Sequence, residues 1–387
     1  MAAAVEAKLT APGPKRILAL DGGGIRGVLT LEYLARIEDL LRARSASPKT
    51  FCLADYFDLI GGTSTGSIIA AGLALGFPVS RLQDLYEKLG ATIFEKPPYR
   101  FGVFVPKFGR EPLVRALKEQ FGDETVGSDL LRTGLMVMAK RLDTGSPWPI
   151  HNNPRGRYFD ERPGGKGLAN RNFPLWQVVR ASTAAPHYFE PERLSVAISD
   201  GNFVDGAFVD GGVSPFNNPS LQLLMLATLK GYGFEWPVGS DAMLVVSVGT
   251  GAGATPMSAD KVISMTAAEQ AARSLAGLMT DCDGLVQTTM QWLGRAANPW
   301  TIDREVGDLR DDTLGGREWF TYVRYNAILD AEWMRQALDL PLTDAQASGL
   351  RTMDNPANIG ELARVGARAA ERQVRAEHFP AAFDPGF

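Results

Sequence analysis

Two cysteines and three histidines are all that this 387-residue chain carries of the residues that build disulfide frameworks and zinc sites. Cys52 and Cys282 lie far apart, and neither has the paired spacing of a metal ligand set or a stapled small domain. Long apolar runs are missing too: the longest, around residues 68–77, is too short to span a bilayer. The opening MAAAVEAKLTAPGPKR has no basic segment ahead of an apolar core, so no secretory leader is read. Neither sign of charge is in excess. Forty basic against forty-four acidic residues give a formal charge of −4, which argues against nucleic acid as a partner. These absences predict a cytoplasmic protein of a reducing compartment, with no metal or other cofactor, that touches a membrane only through local surface patches.

What remains is 45% hydrophobic and 22% charged, the composition of a globular enzyme with a large core. Residues 1–14, small and rich in Ala and Pro, read as a flexible tail. Apolar runs of strand length occur at 16–20, 57–62, 135–139 and 244–248. Between them, helical periodicity covers 28–41, 67–75, 112–120 and 219–229. That alternation predicts an α/β core with a mainly parallel sheet over residues 15–251. Beyond it the pattern turns mostly helical, for example over 266–279 and 359–370, so 252–387 reads as a helical region that packs on or extends the core.

Gly62-Thr63-Ser64-Thr65-Gly66 places a serine between glycines at a predicted strand-to-helix turn. That is where a nucleophile is held on a strained elbow, with Gly62 and Gly66 permitting the close approach. The helix after it aims its first amides at the same spot. A plain Gly/Ser connection is the competing reading. Upstream, Asp21-Gly22-Gly23-Gly24-Ile25-Arg26-Gly27 contains the Gly22-x-Gly24-x-x-Gly27 spacing of a dinucleotide-binding turn. A ribose-binding acid is wanted at the end of the second strand, and that strand runs into Ser64 instead. The same glycines expose backbone amides able to cradle an oxyanion. Arg26 offers either charge for a phosphate head group or an ion pair that pins the loop.

A serine needs a base. His151 lies in a polar loop, His187 follows Ala184-Ala185-Pro186, and His378 sits near the C-terminus, the only one in the chain order of α/β-hydrolases. Three Asp-Gly steps, at Asp200, Asp205 and Asp210, crowd one segment, and most such steps are turns. Asp210 differs: it follows the apolar Ala207-Phe208-Val209 and precedes Gly211 and Gly212, an arrangement suited to a carboxylate at a strand end.

Taken together, residues 21–27, 62–66 and 210–212 resemble, in order, the three signature blocks of the patatin-like phospholipase family. Arg180-Ala181-Ser182-Thr183-Ala184-Ala185-Pro186, Asn217-Asn218-Pro219 and Ser247-Val248-Gly249-Thr250-Gly251 are similar to further family segments, so the likeness covers about residues 15–251. It implies a three-layer α/β/α fold and a Ser64–Asp210 dyad without histidine. By the same likeness the Gly22, Gly23 and Gly24 amides form the oxyanion hole, Arg26 and Gly27 complete that block, and Gly211-Gly212 belongs to the proton-acceptor block. It implies cleavage of fatty-acyl esters in phospholipids or other acyl lipids through an acyl-serine. Ser67 stands where many relatives carry glycine.

A lipid substrate calls for an interfacial surface, and residues 92–110 mix aromatic and basic side chains with Glu95 as their one acid. Phe101, Phe104 and Phe108 there serve either a membrane-touching loop or the core. Three alternatives to a constitutive hydrolase stay open: a dinucleotide-binding protein, a non-catalytic lipid-binding module, and an effector gated by a partner or small ligand bound to the C-terminal helices. Oligomer formation stays open as well.

Overall fold

The computed structural model describes residues 2–93, 106–160, 169–197, 203–253 and 257–385. Nine strands among them form one sheet: β1 (Lys15–Leu20), β2 (Leu59–Thr63), β3 (Gly134–Arg141), β4 (Ser146–His151), β5 (Glu192–Ala197), β6 (Phe203–Asp210), β7 (Met243–Val248), β8 (Arg295–Ala296) and β9 (Thr321–Tyr325). β1 pairs in parallel with β2 and β7, β2 with β3, and β9 with β7 and β8. The strands β1, β2 and β7 are buried throughout, as expected of parallel strands covered on both faces.

Antiparallel pairing enters only around β3 and β6. β4 accompanies β3 over residues 136–141. A strand has two edges, so β2 and β6 share the other one: β2 pairs with residues 134–138 of β3, and β6 with residues 139–141. Thr63 is opposite Met138, and Asp210 is opposite Ala139. The C-terminal ends of β2 and β6 therefore meet tip to tip, which brings residues 64 and 210 together across the sequence.

Successive residues of a strand face opposite sides of the sheet, and β2 shows what covers each side. Gly61 lies against Leu223 of the helix Ser220–Thr228, while Gly62 backs onto Gly66 at the start of the helix Thr65–Ala74. Helices on both faces make the three-layer α/β/α arrangement. The carboxyl ends of β1, β2 and β7 open on one rim, the usual place for a ligand in such sheets.

Two expectations change. The segment read as a flexible tail contains a helix, Ala2–Thr10, whose Val5 and Leu9, spaced by four, are both buried, and the Leu9 carbonyl accepts a 2.9 Å hydrogen bond from Trp236 Nε1. Beyond residue 252 the chain is not only helical: β8 and β9 extend the sheet past β7. Tyr322 and Tyr325 are buried. Five residues, Thr-Tyr-Val-Arg-Tyr, are too short a run for periodicity to reveal.

Candidate active site

Ser64 follows β2 directly and has φ 53° and ψ −123°, a left-handed conformation that a residue with a Cβ adopts only when its surroundings impose it. The turn closes so tightly that a Cβ on Gly62 would collide with the Gly66 carbonyl, and one on Gly66 with the Leu20 carbonyl. Glycine is thus required on both sides of the serine. Ser67, in the position noted above, is buried and donates from its hydroxyl to the Ser64 carbonyl at 2.6 Å.

Because β2 and β6 abut, Ser64 Oγ donates to Asp210 Oδ2 at 2.6 Å. Oδ1 accepts the Gly212 amide at 2.7 Å, so the Gly211-Gly212 turn fixes the carboxylate from below. Burial pushes the Asp210 carboxyl up to about 6, against the hydrogen bonds from Ser64 and Gly212 and the charge of Arg180. A carboxylate tuned that way holds a proton better than a solvated one and still ionises near neutrality.

None of the three histidines hydrogen-bonds to either residue among the described ones. His151 is in β4, buried, edge-on to Tyr232, and lowered by burial to about 4. His378 is buried with Nδ1 2.8 Å from the Tyr325 hydroxyl. The His187 ring stands edge-on to Tyr188. Asp205 is exposed on β6 and binds Ser195 and Arg193, while Asp200 lies outside the described residues.

The glycine-rich loop leaves β1 beside the elbow, where Gly22 approaches the Ser64 side chain. Here the three expected oxyanion donors divide. The Gly22 amide is already engaged, donating to the Asn217 carbonyl at 3.2 Å. The Gly23, Gly24 and Thr65 amides have no hydrogen-bond partner among the described residues. Free amides on the glycine loop and on the residue after a nucleophile are the pair of sources from which oxyanion holes are built. A family model described as patatin-like phospholipase matches residues 18–224.

The chain belongs to the patatin-like phospholipase family.

A cGAMP-activated phospholipase of Vibrio cholerae serotype O1 is 34% identical over 215 residues, 53% of this chain and 55% of that protein. A second protein of that name, from Escherichia coli strain TW11681, is 32% identical over 244 residues, 61% of this chain and 62% of its own length. Patatin-2-Kuras 2 of Solanum tuberosum is 29% identical over 251 residues, covering 61% and 60%. The match thus spans less than two thirds of each relative. With Ser64 at the end of β2, no acid stands where a dinucleotide site would want one, and the glycine loop lies within the segment that the family model matches.

Contacts from outside the matched segment complete this patatin-like site, and sequence reading missed them. Asp21 accepts a two-pronged contact from Arg324 of β9, at 2.9 and 2.6 Å, and Arg324 also donates to Ser247 Oγ at 2.7 Å. Burial works to lower Arg324, but the charge and hydrogen bonds of Asp21, with Tyr322 and Asp283, together hold the guanidinium above its ordinary range. Asp283, in the helix Ala267–Leu293, accepts from Asn217 Nδ2 at 3.0 Å and from the Asn218 amide at 3.1 Å, bracing the turn that holds Gly22. The Met353 carbonyl accepts the Ile25 amide at 3.0 Å. Arg26 is buried and lowered to about 10 by burial, with Asp283 and Asp21 opposing. It makes no ion pair among the described residues; its Nε reaches the Gly23 carbonyl at 3.4 Å, so it pins the loop through backbone. Asp283, Arg324 and Met353 lie from 65 residues (Asn218 to Asp283) to 328 residues (Ile25 to Met353) away from their partners along the chain, and no local motif marks them.

Phe108 is buried against Tyr188 and Phe189, which assigns it to the core; Phe101 and Phe104 lie outside the described residues. Among the described residues no helix is long and apolar enough to cross a membrane, and no group of three or more His, Cys, Asp or Glu could hold a metal ion.

Proposed function

We propose that this protein is a lipid acyl hydrolase working through a Ser64–Asp210 dyad. Ser64 Oγ bonds to the ester carbonyl carbon as its proton passes to Asp210 Oδ2. The tetrahedral oxyanion rests on the Gly23 and Gly24 amides with that of Thr65. As the carbonyl re-forms, the bond to the alcohol breaks and the alcohol leaves with the proton from Asp210. Water then gives a proton to Asp210 while its oxygen attacks the acyl-serine. Collapse returns that proton to Ser64 Oγ and releases the fatty acid. One observation carries this reading: a 2.6 Å contact between the elbow hydroxyl and a buried carboxylate, both within the segment that the family model matches. Phospholipids are the proposed substrates, reached by transient contact with a membrane surface.

A second reading rests on the braces from residues 252–387. In it the oxyanion loop is active only when that region is correctly set, and a ligand bound there acts as a gate. Two relatives are named cGAMP-activated, so cGAMP is the ligand to add first.

The test is release of fatty acid from mixed phospholipid vesicles and turnover of a short-chain chromogenic ester, each with and without cGAMP. Ser64→Ala and Asp210→Asn are expected to lose activity by a factor on the order of 10³ or more, while folded Asp205→Asn and His378→Ala keep it. Equal activity in Asp210→Asn and the parent removes the dyad. Parent activity unchanged by cGAMP removes that ligand as the gate.

A further inference from the structure

The place where β2 and β6 abut is a break in the sheet, and a break leaves backbone groups to be satisfied. Ser182 is the last residue of the helix Leu175–Ser182, is fully buried, and projects its hydroxyl into that break. The hydroxyl accepts the Ser64 amide at 2.8 Å and donates to the Met138 carbonyl at 2.6 Å. It is thereby inserted between the end of β2 and its neighbour β3, in the manner of a bridging water. Two residues on, the Ala184 carbonyl accepts the Asp210 amide at 3.0 Å. Two residues at one helix end, Ser182 and Ala184, therefore hold both reacting partners by their backbones, Ser64 from one side and Asp210 from the other.

We infer that Ser182 is a positioning residue that sets the Ser64–Asp210 geometry, a claim that rests on the dyad proposed above. The physical reason lies in the elbow. Ser64 sits in a left-handed conformation at φ 53°, and such strain persists only where the surroundings over-determine it. The Ser182 acceptor fixes the Ser64 amide, and with it the direction of the Cα–Cβ bond and the reach of Oγ towards Oδ2. It also removes the Ser64 amide from the set of oxyanion donors, leaving Gly23, Gly24 and Thr65. Without the hydroxyl, the Ser64 amide and the Met138 carbonyl both lose their buried partner, and the elbow gains a route to relax. Misplacing a reacting atom by about 1 Å can cost on the order of 10²-fold in rate.

The experiment is kinetic. Ser182→Ala, or the volume-matched Ser182→Cys where the alanine variant does not fold, is compared with the parent on a soluble short-chain ester, each checked by circular dichroism and thermal unfolding. The expected result is a kcat lowered by about 10- to 100-fold at unchanged KM. The same substitution is then made in Asp210→Asn, and the rate of Ser64 labelling by a fluorophosphonate is followed. If Ser182 acts by aligning the pair, its effect largely vanishes once Asp210 is no longer a base. A parental kcat in the Ser182 variant, or an equal loss in both backgrounds, overturns the inference and leaves the dyad intact. Parental activity in Ser64→Ala or Asp210→Asn overturns the dyad itself, and the inference with it.

Discussion

Asp210 is the residue whose physics reaches furthest into function. Its carboxyl is pushed from 3.8 to about 6, chiefly by burial, and in the proposed dyad it must be ionised to take the Ser64 proton. On a neutral short-chain ester, kcat/KM is expected to rise about tenfold per pH unit below about 6 and to level off above it. The same shift has a consequence for stability. A carboxyl whose pKa is raised by folding stabilises the native state while protonated, and that contribution disappears as pH climbs through the folded value. Asp210→Asn, which cannot ionise, should therefore gain in unfolding temperature relative to the parent between about pH 4 and pH 6, and hold the gain above. Parallel melting curves for the two proteins across that range would contradict the raised carboxyl. Ser64 and Asp210 stand out as candidates in the sequence because short glycine-flanked blocks, similar to a family's, mark them, and the structure adds the contact between them. Ser182 was visible only as part of a likeness, since its job is defined by a contact with a residue 118 positions away.

At the scale of elements, burial and periodicity agree where a strand or helix has a strong pattern of its own. β1, β2, β3 and β7, and the helices Gly27–Arg42, Thr65–Ala74 and Ile359–Gln373, fall within a few residues of where apolar spacing puts them. β5 and β6, with their charges and glycine, and the five-residue β9 did not declare themselves, because neighbouring strands rather than their own sequences make them strands. The helix Ala267–Leu293 illustrates both cases. Thr266 and Glu269 form a capping box that fixes its start, yet its described side chains before residue 282 are mostly exposed. Anchorage begins at Asp283 and continues through the buried Val286 and Met290. A helix without packing is marginal in water. Amide exchange should accordingly be fast over residues 270–280 and slow over residues 287–293, measured by mass spectrometry on the intact chain. Equal protection along the helix would mean that its first half is covered in solution by something other than this chain.

For the whole molecule, the decisive contact is the one that joins the glycine-rich block near the N-terminus to the C-terminal region. Residues 15–251 carry every residue proposed to do chemistry, which invites the view that they form a catalytic domain with an appendage. Against that division stands Arg324. It is buried, belongs to β9, and is the partner of Asp21, the first residue of the glycine-rich block, also buried. Taking away one member of a buried ion pair strands the other's charge, at a cost of about 3–5 kcal/mol. Arg324→Met is therefore expected to lower stability by about that much and to slacken the loop that carries Gly23 and Gly24. A fragment ending at residue 251 loses Arg324, the Asp283 brace and two strands of the sheet at once. Expressed alone, it should fail to unfold cooperatively and should show no esterase activity; supplied with residues 252–387 as a separate chain, it should recover both. A fragment that folds and turns over the short-chain ester unaided would show that the oxyanion loop keeps its shape without the C-terminal region, and would remove the structural basis for placing a gate there.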